Sequence, residues 1–203
     1  MNLIFLIFLS LFITPGKNNR DEKVLFDGVT LNNWEIIDYE GHGAVTISDS
    51  CIIIGKGDLI SGIRWTEDFP QTDYELVLDA KRIDGNDFFC GITFPVKESF
   101  LTLVLGGWGG SFCGLSCIDG YDAANNFTGK IFYFGTGEWW AVRLRVTDKK
   151  IEAWVDQDKI VDFTIGSSVL SLRMEVESSV PFGITTWKTT GAIRNIKLSM
   201  VSE

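Results

Sequence analysis

Three aspartates sit where side-chain oxygens could do chemistry. Asp87 follows Gly85-Asn86 at the head of the apolar run Phe88 to Val96, while Asp119 and Asp122 lie in the stretch Asp119-Gly120-Tyr121-Asp122-Ala123-Ala124-Asn125-Asn126. Carboxylates at strand ends can act as acid and base, and with amides such as Asn86 and Asn125 they can bind hydroxyl groups or hold a calcium ion. The stretch lacks the D-x-D-x-D spacing and terminal Glu of an EF-hand, so no cofactor is expected, a structural calcium being the minor alternative. Asn, Asp and Gly also favour turns with no ligand at all, and that reading stands beside the functional one.

Gly106-Gly107-Trp108-Gly109-Gly110 is the sharpest local feature. Glycines strip side chains from around the indole, and an uncovered indole can stack on the apolar face of a sugar ring, gaining on the order of 1 kcal/mol beyond burial. Trp108 packed in a core is the alternative. Trp65, Trp139, Trp140, Trp154 and Trp187 are further aromatics, several of which must fill a core; Trp187 is the second candidate for sugar contact. Glu175-Val176-Glu177 would put two carboxylates on one strand face, about 7 Å apart. Arg173 balances their charge there, which suits a solvated outer face. The E-x-D-x-x-E pattern that gives sandwich glucanases a nucleophile and an acid on one strand is absent. His42 is the single histidine, which excludes multi-histidine metal sites, and Gly41-His42-Gly43 reads as a surface loop rather than a catalytic base. Neither G-x-S-x-G nor a P-loop occurs.

These residues need elements to position them. The chain has 203 residues, 45% hydrophobic and 22% charged, which fits a globular domain and rules out extended disorder. Its net charge is −9 with no basic block, so it offers no face for tracking nucleic-acid phosphates. With 21 Gly, 13% aromatics and only 4 Pro, short strands joined by glycine turns are expected. Tyr74, Leu76, Leu78 and Ala80 alternate with Glu75, Asp79 and Lys81, and Trp140, Val142, Leu144 and Val146 alternate with Ala141, Arg143 and Arg145. That is the period of half-buried strands. Val45 to Ile47 and Cys51 to Ile54 read as a hairpin. With no helical period anywhere, the sequence predicts an all-β antiparallel sandwich of jelly-roll type over residues 22–201, with Trp140, Val142, Leu144, Ile184 and Ile196 between its sheets.

Leu3 to Ile13 are apolar except for Ser10, too short to span a bilayer, which takes about 20 residues. The length suits a secretory signal ending near Gly16, although no basic residue precedes the run and no A-x-A-like site follows it. A secreted or periplasmic protein without a membrane span is therefore expected. Cys51, Cys90, Cys113 and Cys117 match neither a redox pair nor a zinc ribbon. They read as small buried hydrophobes, with a disulfide framework as the alternative that export would allow.

Leu25-Phe26-Asp27-Gly28 followed by Leu31-Asn32-Asn33-Trp34 resembles the LFDG-x-x-L-x-x-W opening of the 3-keto-disaccharide hydrolase domain family. Asp73 to Leu76, Gly85 to Ile92, Gly137-Glu138-Trp139, the Asp156 to Asp158 turn and Ile193 to Lys197 follow in the family's order. Where typical members read N-S-G, this chain has Asn86-Asp87 and then Phe88-Phe89-Cys90-Gly91, which marks a divergent branch. The resemblance implies a concanavalin A-like sandwich and hydrolysis of keto-glycosides; the residue types themselves make Asp87, Asp119 and Asp122 the catalytic candidates and Asn86, Trp108, Asn125 and Trp187 the saccharide-binding candidates. For a 3-keto sugar, elimination followed by hydration would need only a base and an oxyanion stabiliser. A non-catalytic lectin-like module on the same sandwich is the alternative function.

Overall fold

The computed structural model describes residues 22–201. In chain order its strands are β1 (Glu22–Val24), β2 (Trp34–Ile36), β3 (Val45–Ser48), β4 (Cys51–Ile54), β5 (Ile60–Trp65), β6 (Tyr74–Asp84), β7 (Cys90–Val96) and β8 (Ser99–Gly106). They continue as β9 (Phe112–Ser116), β10 (Lys130–Ile131), β11 (Trp139–Val146), β12 (Lys150–Val155), β13 (Asp158–Thr164), β14 (Gly183–Trp187) and β15 (Thr190–Met200). One sheet runs β13-β12-β11-β6-β15-β4-β3, with β1 beside the second half of β15; the other runs β10-β9-β8-β7-β14-β5-β2. All pairings are antiparallel. The all-β sandwich expected from the alternation is what the chain builds.

Alternation decides which faces meet. Tyr74, Leu76, Leu78 and Ala80 of β6 are buried and stand opposite Val146, Leu144, Val142 and Trp140 of β11. Phe94, Leu101, Leu103, Leu115 and Ile184 answer them from the second sheet. Trp140 departs from expectation: it is half-buried, edge-on to Phe132 and Phe134 at 5.5 Å, because it lies near the end of its strand. The opening LFDG…W motif is structural. Trp34 donates its indole N–H to the Leu25 carbonyl at 2.8 Å and meets Trp65 edge-on at 5.3 Å. Asp27 accepts from the Val29 and Thr30 amides, both at 2.7 Å, which shapes the turn between them.

One strand expectation fails. Glu175-Val176-Glu177 lies in a 3-10 turn, Met174–Ser179, not on a strand. Val176 and Ser179 are buried there while Glu177 is exposed, so the apolar residue anchors a short cover laid over the second sheet. Cys51, Cys90, Cys113 and Cys117 are all buried thiols without disulfides, the small-hydrophobe role the spacing suggested. The apolar segment Leu3 to Ile13 lies outside the described residues. Among those described, no helix is long and apolar enough to cross a membrane.

Candidate functional site

On β8, Leu101, Leu103 and Leu105 point into the core, so Thr102 and Val104 face away from it. Their outer face floors a pocket of about 270 Å³. Asp87, Phe88, Trp108, Trp187 and Ile60 line it, together with Glu175 and Val176 of the cover and Arg173 just before it.

The wall bearing Trp108 is a backbone device. Gly106, Trp108, Gly109 and Gly110 have φ of 74°, 47°, 90° and 100°, a nearly unbroken left-handed turn. Only glycine adopts such angles without strain, which explains the run of glycines better than a demand for an uncovered indole. The turn leaves Trp108 43% exposed, touching Phe112 edge-on at 6.0 Å. Behind it stands Arg82 of β6, only 5% exposed. Its Nη2 donates to the carbonyls of Gly110 at 2.7 Å, Gly106 at 3.3 Å and Asp87 at 3.4 Å, and its Nη1 to that of Phe134 at 3.2 Å. A side chain on Gly106 would collide with this guanidinium. One buried cation thus fixes the Trp108 turn and the Asp87 segment together. Burial lowers its pKa and Asp87 raises it, the former prevailing without bringing an arginine near neutrality.

Asp87 is half-buried. Its amide donates to the Thr189 hydroxyl at 3.0 Å and its Oδ1 accepts from the Phe88 amide at 2.8 Å, leaving Oδ2 with no hydrogen-bond partner among the described residues. The Trp187 backbone N–H donates to the Phe88 carbonyl at 2.9 Å, and the two rings lie 6.3 Å apart. In the same lining, Arg173 donates to Glu175 Oε1 at 2.8 Å and Asp122 Oδ2 at 3.3 Å. The Arg173 hydrogen bond holds the Glu175 carboxyl below its usual pKa, so Glu175 is ionised at neutral pH.

The structure therefore brings Asp87, Trp108 and Trp187 into one lining, with Asp122 tied to its rim through Arg173. Asp119, Asn125 and Asn86 do not line it. Asp119 accepts from the Val169 amide at 2.7 Å, Asn125 donates to Asp122 Oδ1 at 2.7 Å, and Asn86 is exposed beside Gly110. Asn125 spends its amide inside its own turn, whereas Asp119 ties its loop to Val169, fifty residues along the chain. Asn126 does the same work more fully: its Nδ2 reaches the carbonyls of Leu115, Tyr121 and Asp122 at 2.7, 3.1 and 2.9 Å. No group of three or more His, Cys, Asp and Glu among the described residues is placed to hold a metal ion. Arg82, Arg173, Thr102 and Ser116 were not singled out as site residues from sequence. Arg82 did carry a signal: it continues the core-facing series 74, 76, 78, 80, where a charge is out of place.

The chain is a two-sheet antiparallel sandwich whose outer face carries an aromatic-walled pocket with carboxylates. Residues 21–199 match the 3-keto-alpha-glucoside-1,2-lyase-like domain, and the chain belongs to that family. Among solved structures, it is similar to a protein assigned as a glycosyl hydrolase from Parabacteroides distasonis, with TM-score 0.58, 13% identity, and 89% of this chain and 94% of that one covered. A carbohydrate-binding module from Bacillus subtilis superposes with TM-score 0.53 at 12% identity, over 82% and 95% of the two chains. Domain 4 of an extracellular arabinanase from Geobacillus stearothermophilus, in complex with arabinotriose, gives 0.54 at 14% identity, over 83% and 82%. These likenesses show a shared fold. No curated protein matches the chain.

Proposed function

We propose that the pocket takes one sugar ring of a 3-keto glycoside between Trp108 and Trp187, and that Asp87 is the base for its 1,2-elimination. The observation that carries this reading is the Asp87 carboxylate beside two tryptophans in a pocket sized for a single ring. The C3 ketone acidifies the C2–H bond. Asp87 takes the C2 proton, the electron pair forms C1=C2, and the C1–O bond breaks, the departing alkoxide taking a proton from water. Addition of water across the double bond completes a net hydrolysis. The route needs no glycosyl-enzyme nucleophile, in keeping with the absence of the glucanase carboxylate pattern.

One observation favours a second reading, a saccharide-binding module without catalysis. Glu175 is ionised and paired with Arg173, so the pocket holds no second carboxyl group ready to protonate a leaving group. Incubating the purified protein with methyl α-glucoside, trehalose and their 3-keto derivatives, with products read by mass spectrometry, separates the two. Elimination or hydration products from the keto sugars alone support the lyase reading; binding without product supports the module. Export belongs to the same proposal: the apolar segment Leu3 to Ile13 would direct the chain out of the cytoplasm, and a secreted protein would start shortly after Gly16.

A further inference from the structure

Three hydroxyl groups at the pocket floor form a chain whose direction is fixed at its far end. Ser179, the last residue of the 3-10 cover, contacts the Val176 carbonyl and lies 2.8 Å from Thr93 Oγ1. Thr93 of β7 stands opposite Thr102 of β8 on the outer face of the sheet, with their Oγ1 atoms 3.0 Å apart. A hydroxyl has one proton and two lone pairs, whereas a carbonyl can only accept. The Ser179 proton therefore goes to the Val176 carbonyl. Thr93 then spends its proton on Ser179, and Thr102 spends its own on Thr93. Ser179 and Thr93 are wholly buried and do not line the pocket, whereas Thr102 does. Thr93 is the one hydrogen-bond partner of the Thr102 hydroxyl among the described residues. With its proton turned inward, Thr102 Oγ1 offers the pocket lone pairs and no donor.

We propose that Thr102 is a specificity residue: its Oγ1 accepts a hydrogen bond from a hydroxyl group of the bound ring, so the pocket selects sugars with a free hydroxyl at that position. The inference rests on the reading that the pocket takes a sugar ring, and not on whether Asp87 then acts as a base. An acceptor left unpaired when a ligand covers it is costly, so a ring without that hydroxyl binds more weakly. The same polarity orients a 3-keto sugar. A ketone oxygen also only accepts, so C3 is turned away from Thr102, and the hydroxyl at C2, C4 or C6 meets it instead. Leu101 and Leu103, on either side of Thr102, are packed in the core, so the sheet sets its position before any ligand arrives. The bond is as good in the ground state as during any reaction, so it acts on affinity more than on turnover.

The test measures Kd by tryptophan fluorescence on rapid mixing, with methyl 3-keto-α-glucoside and its deoxy and deoxyfluoro analogues at C2, C4 and C6. Fluorine, like hydrogen, cannot donate. At one position both analogues should therefore bind about tenfold more weakly than the unsubstituted sugar. Thr102→Val removes the acceptor at nearly constant shape. It should weaken the unsubstituted sugar by about tenfold and erase the difference between that sugar and those two analogues, a coupling that loss of packing would not produce. Thr102→Ser keeps the acceptor and should bind within about threefold of the parent protein. Deoxyfluoro analogues that bind like the unsubstituted sugar at every position, or a loss at one position that Thr102→Val leaves unchanged, would overturn the proposal and leave the sugar-ring reading intact. So would an unchanged Kd in a Thr102→Val protein of parental melting temperature. A parent protein that binds none of these sugars would overturn both. Should Thr102→Val fail to fold, Thr102→Ala with the same panel takes its place.

Discussion

The Arg82 guanidinium lies 2.7 Å from the Gly110 carbonyl, across the gap between β6 and the turn that carries Trp108. That contact joins the core of one sheet to the pocket wall of the other. Replacing Arg82 with Leu should remove four hydrogen bonds to carbonyls and cost roughly 3 kcal/mol, because the carbonyls stay buried without a charged donor. Arg82→Lys should cost less, yet one ammonium cannot fork between Gly106 and Gly110 as a guanidinium does. Urea unfolding measures the loss. Amide exchange confined to residues 106–111 in the lysine variant would show the clamp loosened while the sandwich stays closed.

Asp87 and Trp108 should separate turnover from affinity. Asp87→Asn keeps an acceptor for the Phe88 amide but cannot take a proton, so turnover of a 3-keto glucoside should fall by about two orders of magnitude or more with little loss of stability. Trp108→Ala should raise KM about tenfold with a smaller change in kcat, the loss of one stacking face. Steady-state kinetics on the parent and the two variants tests both. Parental constants for both variants would make these residues structural only.

The sequence Asn126-Phe127-Thr128 fits an N-glycosylation signal, yet the fold uses Asn126 as a staple. Besides its donations to Leu115, Tyr121 and Asp122, its Oδ1 accepts from the amide and hydroxyl of Thr128 at 2.9 and 2.6 Å. Asn126→Asp should destabilise the protein by roughly 2 kcal/mol, since a carboxylate would face carbonyl oxygens in place of an amide donor. Thermal melting of the two proteins at equal pH measures it.

Thiol chemistry should be silent in the native state. Burial pushes the Cys113 thiol up to about 12 and that of Cys90 higher still, so neither supplies thiolate at ordinary pH. Iodoacetamide at pH 8 should leave both unmodified until denaturant is added, after which all four cysteines should react. Two or more cysteines that resist labelling in denaturant without reductant would reveal a disulfide.

Acid should weaken the cover and the outer charge network. Arg173 depresses the pKa of Glu175, and Lys150 and Lys159 depress that of Asp162, from ordinary values of 4.5 and 3.8. A depressed carboxylate contributes stability that is fully present above its unfolded value and lost as pH falls through the folded one. Urea midpoints should thus be flat above about pH 5 and decline below it. In the Glu175→Gln, Asp162→Asn double variant that decline should be shallower. An unchanged slope would mean these pairs are too screened by water to matter.

The sheets were legible because alternation is a local property: Tyr74 to Ala80 and Val142 to Val146 announce their buried faces within a few residues. Trp108 and Trp187 were legible as candidates because glycine and tryptophan are conspicuous, and Asp87 because it heads a strand. The cover was not. Glu175-Val176-Glu177 alternates as a strand would, yet it folds as part of a 3-10 turn. Asp119 and Asn125 show the converse failure, since turn-forming and ligand-binding residues are the same types. The hold of the cover on the sheet is beyond reach for another reason: the Ser179 and Thr93 hydroxyls meet across 86 positions, and no short-range pattern records such a meeting.

β15 runs through the interior of its sheet, flanked by β6 on one side and by β4 and β1 on the other. A ribosome or a translocation channel delivers β15 after every other strand described. Until it arrives, β6 has one open edge along its length, and β1, β3 and β4 have no sheet to join. One flank of the first sheet, β1, β3 and β4, must therefore wait, and the β6 edge stays unpaired, for a strand still to come. A chain released slowly would gain from a chaperone that shields β6, and one halted before Thr190 should be among the most aggregation-prone intermediates of its synthesis.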